Sequence, residues 1–207
     1  MLQFYNKIYT ELGKKLTHLN LGGGFGIKYK GADASVPYEN YMERVSGAVH
    51  AACEKYGLQI PRIYIEPGRS IVGEAGITLY TVGDIKEIPG IRTYVAVDGG
   101  MYENPRYALY QSDYTCLIAD RAGEKRDTRV TIAGKCCESG DLLIKDIMMP
   151  QIEVGDTLAV LATGAYNYSM ASNYNRIPRP AVVAVCEGKS RVVIKRETYE
   201  DLIKNDL

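Results

Sequence analysis

An acid and an arginine stand at the end of a short apolar run at residues 63–69, which is Ile-Tyr-Ile-Glu-Pro-Gly-Arg. The β-branched and aromatic part predicts a strand that is buried on both faces, as in a parallel sheet. Pro67 cannot donate to a strand ladder, and Gly68 allows the backbone to approach a ligand closely. The pattern places Glu66 and Arg69 at the carboxyl end of a parallel strand, where α/β folds carry their chemistry. A plain turn followed by a surface cation explains the same residues.

Three consecutive glycines, Gly22, Gly23 and Gly24, follow a second predicted strand at residues 16–21. Backbone N–H groups at a glycine-rich strand end can converge on one anion, so this run indicates phosphate binding, with a flexible loop as the alternative. The run lacks the Gly-Lys-Ser/Thr ending of a P-loop and the spacing of a dinucleotide fingerprint. Both absences argue against a nucleotide site.

Three later stretches combine glycines with a cation, a thiol, an acid or a tyrosine. The candidate side chains in them are Arg106, Tyr110, Cys137, Glu138 and Tyr166. Taken singly, each stretch also has a structural interpretation, as a hairpin turn, a strand end or a core tyrosine. Only the whole set favours a common active site.

The charge balance argues against two classes of partner. The chain has 25 basic and 25 acidic residues, so its formal net charge is zero. A zero net charge removes the usual electrostatic argument for a nucleic-acid or anionic-membrane partner. No apolar run approaches the length of a membrane span, and residues 1–7 lack the apolar core of a signal peptide. We therefore expect a cytoplasmic protein without a nucleic-acid or membrane partner.

The cysteines and histidines offer no metal site. The five cysteines, none with metal-ligand spacing, are Cys53, Cys116, Cys136, Cys137 and Cys186. Adjacent thiols are poorly placed to chelate one ion, and free thiols are the default in a reducing compartment. His18 and His50 have no cysteine or carboxylate constellation near them in the sequence, so we expect both to be ordinary fold residues.

The elements that must position these residues change in character near Gly76. Before it, helices are predicted at residues 2–15 and 37–56, and they alternate with the strands at 16–21 and 63–65, as in a parallel βα sheet. After it, Gly, Pro and Asp turns separate short strands, which predicts an antiparallel β domain. These strands are predicted at 77–88, 93–97, 129–133, 157–162, 182–185 and 191–195.

The predicted organisation is thus an α/β part, residues 1–76, followed by an all-β part, residues 77–207. About 75 residues supply two or three βα units, whereas a closed parallel barrel needs roughly 250 residues. An open parallel sheet of three strands would leave exposed edges. We therefore expect the chain to be a fragment or to be completed by another chain.

Together the motifs resemble those of the diaminopimelate decarboxylases, pyridoxal 5′-phosphate enzymes of the alanine racemase-like group. The matching stretches, in family order, are GGGFG, EPGRSIV, VDGGM…RYALY, CCESGD and GAYNYSMASNYN. The resemblance extends from residue 16 to about residue 185. It implies that residues 1–76 are the C-terminal part of a (β/α)8 barrel that binds pyridoxal phosphate, followed by a complete antiparallel β domain.

The resemblance implies cofactor-binding roles at both ends of the chain. Gly22, Gly23 and Gly24 match the loop whose amides bind the cofactor phosphate. Gly68 and Arg69 match residues near that phosphate, Tyr166 matches a tyrosine that contacts the cofactor, and Glu66 matches the acid that faces the pyridine nitrogen. A carboxylate there keeps the ring protonated, so that the ring can act as an electron sink during decarboxylation.

The resemblance also implies how an amino-acid substrate with a second amino-acid terminus is bound. Arg69, Arg106, Tyr110 and Tyr166 match substrate contacts, and a guanidinium suits the distal carboxylate because it binds bidentately. Glu138 matches the acid that recognises the distal amino group. Cys137 matches the thiol that protonates the carbon after decarboxylation. In the family these last two residues reach into the partner subunit's site, which implies a homodimer with shared active sites.

The sequence departs from the family at the covalent anchor. The lysine that forms the Schiff base with the cofactor, and a histidine that stacks on the ring, match no position in this chain, and His18 lies too close to the glycine loop to be that histidine. Three hypotheses follow. The full-length protein converts meso-2,6-diaminopimelate to L-lysine and CO2, and this chain alone is inactive. In the second hypothesis, the full-length protein is a related decarboxylase that acts on ornithine or lysine. In the third, the chain is a non-catalytic dimerisation or binding module.

Overall fold

The computed structural model describes residues 1–30 and 36–207, which form two compact units. The first unit contains residues 1–28 and 36–72, and the second contains residues 29–30 and 73–207. The sequence-based domain limits, 1–76 and 77–207, remain a prediction. The predicted fold class, an α/β part followed by an all-β part, is confirmed.

The first unit alternates helices with two short parallel strands. Its elements are α1 (Leu2–Leu12), β1 (His18–Asn20), α2 (Tyr38–Tyr56), β2 (Arg62–Tyr64) and α3 (Arg69–Val72). Strands β1 and β2 pair in parallel, with Leu19 opposite Ile63. Both longer helices end at a glycine in the left-handed conformation, Gly13 and Gly57, because glycine has no Cβ to oppose a positive φ.

A small core covers one face of this parallel pair. Leu19 of β1 packs with Val49 and Cys53 of α2, and Ile63 of β2 packs against the same cluster. The opposite face is exposed, including Tyr64. The prediction that residues 63–65 form a strand buried on both faces is therefore wrong for the described structure. Strand β2 buries only the side that faces the helix.

The second unit is built on a six-stranded sheet in the order β5-β8-β3-β4-β6-β7. These strands are β3 (Ile77–Ile88), β4 (Arg92–Val97), β5 (Cys116–Ile118), β6 (Thr128–Ala133), β7 (Leu142–Met149) and β8 (Thr157–Leu161). A separate antiparallel hairpin consists of β9 (Val182–Cys186) and β10 (Lys189–Ile194). The helical segments are α4 (Arg106–Tyr110), α5 (Asn167–Met170), α6 (Tyr199–Ile203) and a 3₁₀ turn at Tyr174–Arg176.

The sheet differs from the predicted antiparallel domain in one pairing. Strands β4 and β6 run parallel, with Val95 opposite Ile132, while the other pairs are antiparallel. The long connection between β4 and β6, which contains α4 and β5, allows the chain to return in the same direction. Strands β5 and β7 were not predicted. The first has three residues, too few to show alternation, and the second is interrupted at Asp146, where φ is 54°.

Alternating residues of the sheet form one apolar core. In β3, Tyr80 and Val82 point into the core, whereas Ile77 and Leu79 remain exposed. Fully buried side chains from the other strands complete it: Val95, Cys116, Ile118, Val130, Ile132, Leu143, Met149, Leu158 and Val160. None of the helices that the structure describes is long and apolar enough to cross a membrane.

A buried carboxyl, Glu103, joins the loop after β4 to this sheet. It is 5% exposed and accepts hydrogen bonds from the Tyr80 hydroxyl at 3.1 Å and the Gly100 N–H at 3.0 Å. Burial raises the pKa of Glu103 to about 7 from its ordinary value of 4.5. Between these two values the folded chain holds a proton that the unfolded chain has released.

This arrangement predicts that the stability contribution of Glu103 falls as the pH rises from 4.5 to 7 and is constant above that range. We expect Glu103→Gln, which keeps an acceptor and cannot ionise, to remove this dependence. The wild-type free energy of unfolding, relative to the variant, should fall by about 2–3 kcal/mol between pH 5 and pH 8. Urea unfolding at both pH values measures it. Glu153→Gln, at an exposed acid, is the matched control, and a pH-independent difference for Glu103→Gln would contradict the prediction.

Candidate active site

The glycine loop of the first unit lies directly against the stretch that contains Glu66. The Glu66 N–H donates to the Gly22 carbonyl at 2.7 Å, which extends the β1–β2 ladder. A Cβ at Gly23 would overlap the carbonyl oxygen of Glu66, and Gly22 and Gly24 have φ values of 71° and 84°. Only glycine combines this close approach with these conformations. The structure therefore brings the predicted phosphate loop and the predicted ring-facing acid together.

Asn20, which the sequence reasoning missed, connects these two features by its side chain. Its Nδ2 donates to Glu66 Oε1 at 2.6 Å, and its Oδ1 accepts from the Gly22 N–H at 2.7 Å. The only signal in the sequence was an amide residue at the end of a strand, two positions before a glycine. That signal does not identify its partner 46 residues further along the chain.

Helix α2 holds the glycine loop and the stretch after β2 from one side. The ring of Phe25, inside the glycine run, packs against Tyr38 and Tyr41 of α2 with centroid distances of 5.2 and 5.3 Å. The Tyr38 hydroxyl donates to Ser70 Oγ, next to Arg69 at the start of α3. The sequence run Gly-Gly-Gly-Phe-Gly therefore has an aromatic anchor between flexible glycines.

The structure places Glu66, Gly68 and Arg69 just after the carboxyl end of β2, where the sequence analysis expected them. The Gly68 carbonyl accepts from the Ile71 N–H at 3.1 Å, which begins the turn of α3. Their assigned roles at the cofactor remain predictions.

In the second unit the guanidinium of Arg106 lies between two aromatic rings. It is 5.4 Å from the ring centroid of Tyr110 and 5.4 Å from that of Tyr166. Arg106 is only 7% exposed, and its Nη2 donates to Ser112 Oγ at 3.4 Å. The two aromatic faces stabilise the cation and limit its orientation. Three of the four residues predicted to bind substrate from this unit are thus in contact through Arg106, and the fourth, Glu138, lies on a separate turn.

Tyr166 has an unusual backbone, with φ of 72° and ψ of −33°. A bulky residue with positive φ is strained, and such strain is typical of functional sites whose surroundings hold the residue in place. The next residue, Asn167, is buried and accepts a hydrogen bond from the Tyr114 hydroxyl at 3.3 Å. Within the described residues, the Arg106 Nε and the Asn167 Nδ2 are buried without a hydrogen-bond partner. Such orphaned donors are rare and suit a bound ligand or water.

The Cys137–Glu138 turn is held by the 3₁₀ turn at Tyr174–Arg176. The Cys137 N–H donates to Asn175 Oδ1 at 2.6 Å, and the Tyr174 hydroxyl donates to Glu138 Oε2 at 3.3 Å. The Gly140 N–H, and next the Tyr174 hydroxyl, lower the pKa of Glu138 below its ordinary value, so this exposed carboxyl stays ionised. Tyr174 and Asn175 lie at the end of the motif GAYNYSMASNYN, and the sequence predicted no role for either residue.

The second acid of this turn, Asp141, is structural. It is 3% exposed and accepts from the Met101 N–H at 2.6 Å and the Cys136 N–H at 2.7 Å. A Cβ at Gly100 would lie 2.7 Å from Asp141 Oδ2, and one at Gly134 would overlap the same oxygen. The glycines of both loops therefore make room for one buried carboxylate.

Adjacent cysteines have different environments. Cys136 is buried, and burial, followed by the nearby Asp141 charge, raises the pKa of its thiol to about 11. Cys137 is exposed. Since the thiolate is the reactive form and needs access, Cys137 is the thiol of this turn that is available for chemistry.

Comparisons with known proteins agree on one family. The family model described as "Pyridoxal-dependent decarboxylase, C-terminal sheet domain" matches residues 8–164. The diaminopimelate decarboxylase of Bacillus subtilis is 60% identical over 189 residues, which are 91% of this chain and 43% of that protein. That of Staphylococcus aureus (strain COL) is 53% identical over 95% of this chain and 47% of that protein.

A solved structure shows the same relationship. The crystal structure of M. jannaschii diaminopimelate decarboxylase in co-complex with L-lysine superposes with a TM-score of 0.89 at 33% identity. The match covers 100% of this chain and 46% of that chain. The chain thus spans about half the length of the relatives it matches.

The thiol environments predict selective alkylation. In the native protein we expect iodoacetamide to modify Cys137 and Cys186, which are exposed, at least roughly tenfold faster than the buried Cys136. Peptide mass spectrometry after timed pulses at pH 8 measures each rate. All cysteines should react alike in denaturant, which serves as the control. Equal native rates at Cys136 and Cys137 would contradict the structure.

The close approach of the glycine loop predicts the effect of one added methyl group. Gly23→Ala should lower the free energy of unfolding by about 1–3 kcal/mol, because its Cβ would displace the Glu66 backbone. Gly26→Ala is the matched control, since a Cβ there meets open space. Urea unfolding compares the two. Equal stabilities of both variants would refute this packing.

Proposed function

The chain belongs to the pyridoxal-dependent decarboxylases, as its motifs predicted, and from this premise we propose that the full-length protein converts meso-2,6-diaminopimelate to L-lysine and CO2. The observation that carries the proposal is the Arg106 guanidinium, nearly buried between Tyr110 and Tyr166, in a chain 60% identical to a diaminopimelate decarboxylase. In this proposal the chain is the C-terminal part of that longer protein.

The residues of the first unit fit pyridoxal 5′-phosphate as the cofactor. The three glycines leave space where a side chain would collide with Glu66, and their backbone N–H groups suit a phosphate. Glu66 is tied to the same loop through Asn20, so a carboxylate is available for a ring nitrogen. Gly68 and Arg69 follow at the end of the same strand. Bound pyridoxal phosphate would supply an electron sink for the loss of CO2.

The residues of the second unit support a substrate with two amino-acid ends. Arg106 would bind the distal carboxylate, because its buried guanidinium has a donor without a partner among the described residues. Glu138 would bind the distal ammonium, because its pKa is lowered and it stays ionised. Ornithine and lysine lack the distal carboxylate and would leave the arginine charge unpaired, which a buried site disfavours strongly.

Cys137 would return a proton to the carbon that has lost CO2. Its thiol is exposed on a turn held by Asn175, whereas the neighbouring Cys136 is buried and resists ionisation. Donation of one proton from the thiol to this carbon completes the exchange of a carboxylate for a hydrogen atom.

We also propose a homodimer in which Cys137 and Glu138 complete the site of the partner subunit. Their exposure on the surface of the second unit supports this arrangement.

The Schiff-base lysine would lie in the part of the full-length protein that this chain does not cover. The chain alone would therefore be inactive. The cytoplasm is the proposed compartment, which agrees with the free thiols of all five cysteines. A protein that is fully active and sediments as a monomer in analytical ultracentrifugation would refute the shared site.

The substrate assignment is tested by CO2 release from the full-length protein with diaminopimelate, ornithine and lysine. We expect activity with diaminopimelate alone, and Arg106→Lys should lower kcat/KM by about a hundredfold because an ammonium cannot bind a carboxylate bidentately. Arg129→Lys, at an exposed arginine, is the matched control.

Two outcomes would overturn the proposal. Equal turnover of ornithine and diaminopimelate would replace it with a decarboxylase of basic amino acids. Absence of CO2 release from all three substrates, in a folded protein that binds pyridoxal phosphate, would favour the non-catalytic module.

A further inference from the structure

We propose that Asn20 is a positioning residue that couples the phosphate-binding glycine loop to the carboxylate of Glu66. This inference rests on the proposed function, because it concerns how two parts of one cofactor are held. It assigns a role to a residue that lies outside the predicted site, at the last position of β1.

The side chain of Asn20 uses both ends of its amide. Nδ2 is 2.6 Å from Glu66 Oε1, and Oδ1 is 2.7 Å from the backbone nitrogen of Gly22. The backbone contacts are independent of this bridge: the Glu66 N–H donates to the Gly22 carbonyl, and the Leu21 N–H donates to the Tyr64 carbonyl. The loop and the acid are therefore joined through main chain and side chain at one place.

The chemistry of the bridge requires an asparagine. One partner is a backbone N–H, which needs an acceptor, and the other is a carboxylate, which needs a donor. Aspartate offers only acceptors, and serine is too short to contact both partners. An amide is the shortest side chain that satisfies both partners while remaining uncharged.

The bridge leaves one carboxylate oxygen of Glu66 available. Among the described residues, no hydrogen bond or ion pair engages Glu66 Oε2, while Oε1 is occupied by Asn20. A hydrogen bond to one oxygen restricts the rotation of the carboxylate and so narrows the directions open to its second oxygen. Because the same amide holds Gly22, the position of the phosphate loop and the direction of Oε2 depend on each other.

A residue that only shapes the loop would need the acceptor and not the donor. An asparagine oxygen that accepts from the N–H two residues ahead is a common turn-forming contact. Variants that keep the acceptor and lose the donor therefore separate the two roles. Asn20→Asp does so with an added charge. Asn20→Ser adds no charge and keeps an acceptor for the Gly22 N–H, and its side chain is too short to donate to Glu66 as well.

The test uses the full-length protein reconstituted with ¹⁵N-labelled pyridoxal phosphate. The ¹⁵N chemical shift of the ring nitrogen reports its protonation, and the ratio of affinities for pyridoxal phosphate and pyridoxal reports the phosphate contribution. We expect Asn20→Asp and Asn20→Ser to move the ¹⁵N shift towards the neutral ring and to keep the phosphate contribution within about threefold. Turnover should fall by about tenfold or more, the loss of one charge-assisted hydrogen bond.

Two controls define the comparison. Asn40→Asp adds the same charge on the exposed part of α2 and should leave both readouts unchanged. Glu66→Gln gives the ¹⁵N shift expected when the carboxylate is lost.

The outcomes distinguish the inference from the function. If the wild type decarboxylates diaminopimelate and both Asn20 variants keep its ¹⁵N shift, Asn20 shapes the loop only and the inference is wrong. Loss of the phosphate contribution without a ¹⁵N change would overturn it equally. If the wild type releases no CO2 from diaminopimelate, the proposed function fails, whatever the variants show.

Discussion

The buried carboxylate of Asp141 organises the end of the second unit that carries its predicted site residues. It accepts N–H groups from Met101, on the loop that leads to Arg106, and from Cys136, on the turn that presents Cys137. Removing the acceptor would leave two inward-facing donors unpaired, which costs more than the hydrogen bonds themselves contribute. The buried Asp141 side chain therefore holds the loop that leads to Arg106 and the Cys137–Glu138 turn in one arrangement.

In the first unit, close approach of the backbone holds the predicted site residues in place. Its parallel pair continues beyond the strands through the hydrogen bond from Glu66 to Gly22, and Gly23 allows the contact because it has no side chain. Asn20 adds the only side-chain link between the loop and the acid that the described structure contains. The small core around Leu19 holds the two strands in register, so packing on one face supports polar geometry beyond their carboxyl ends.

In the second unit, residues of the same type differ in pKa or exposure because their environments differ. Cys136 is buried and its thiol pKa is raised, whereas Cys137 is exposed. Among the acids, Glu138 has its pKa lowered by hydrogen bonds, while burial raises the pKa of Glu103. Residue type alone does not distinguish the two members of each pair. Desolvation and hydrogen bonding can shift the pKa of the same side chain in opposite directions.

The sequence by itself determined what depends on local chemistry and order. Its motifs identified the family, the change from helices to short strands identified the fold class, and Gly57 ended a helix because glycine accepts a positive φ. Tertiary structure alone decided the parallel pairing of β4 with β6, the one-sided burial of β2, and the contacts of Asn20 with Glu66 and of Tyr174 with Glu138. These contacts join residues 36 and 46 positions apart, and only the path of the folded backbone determines which distant atoms come within hydrogen-bonding distance.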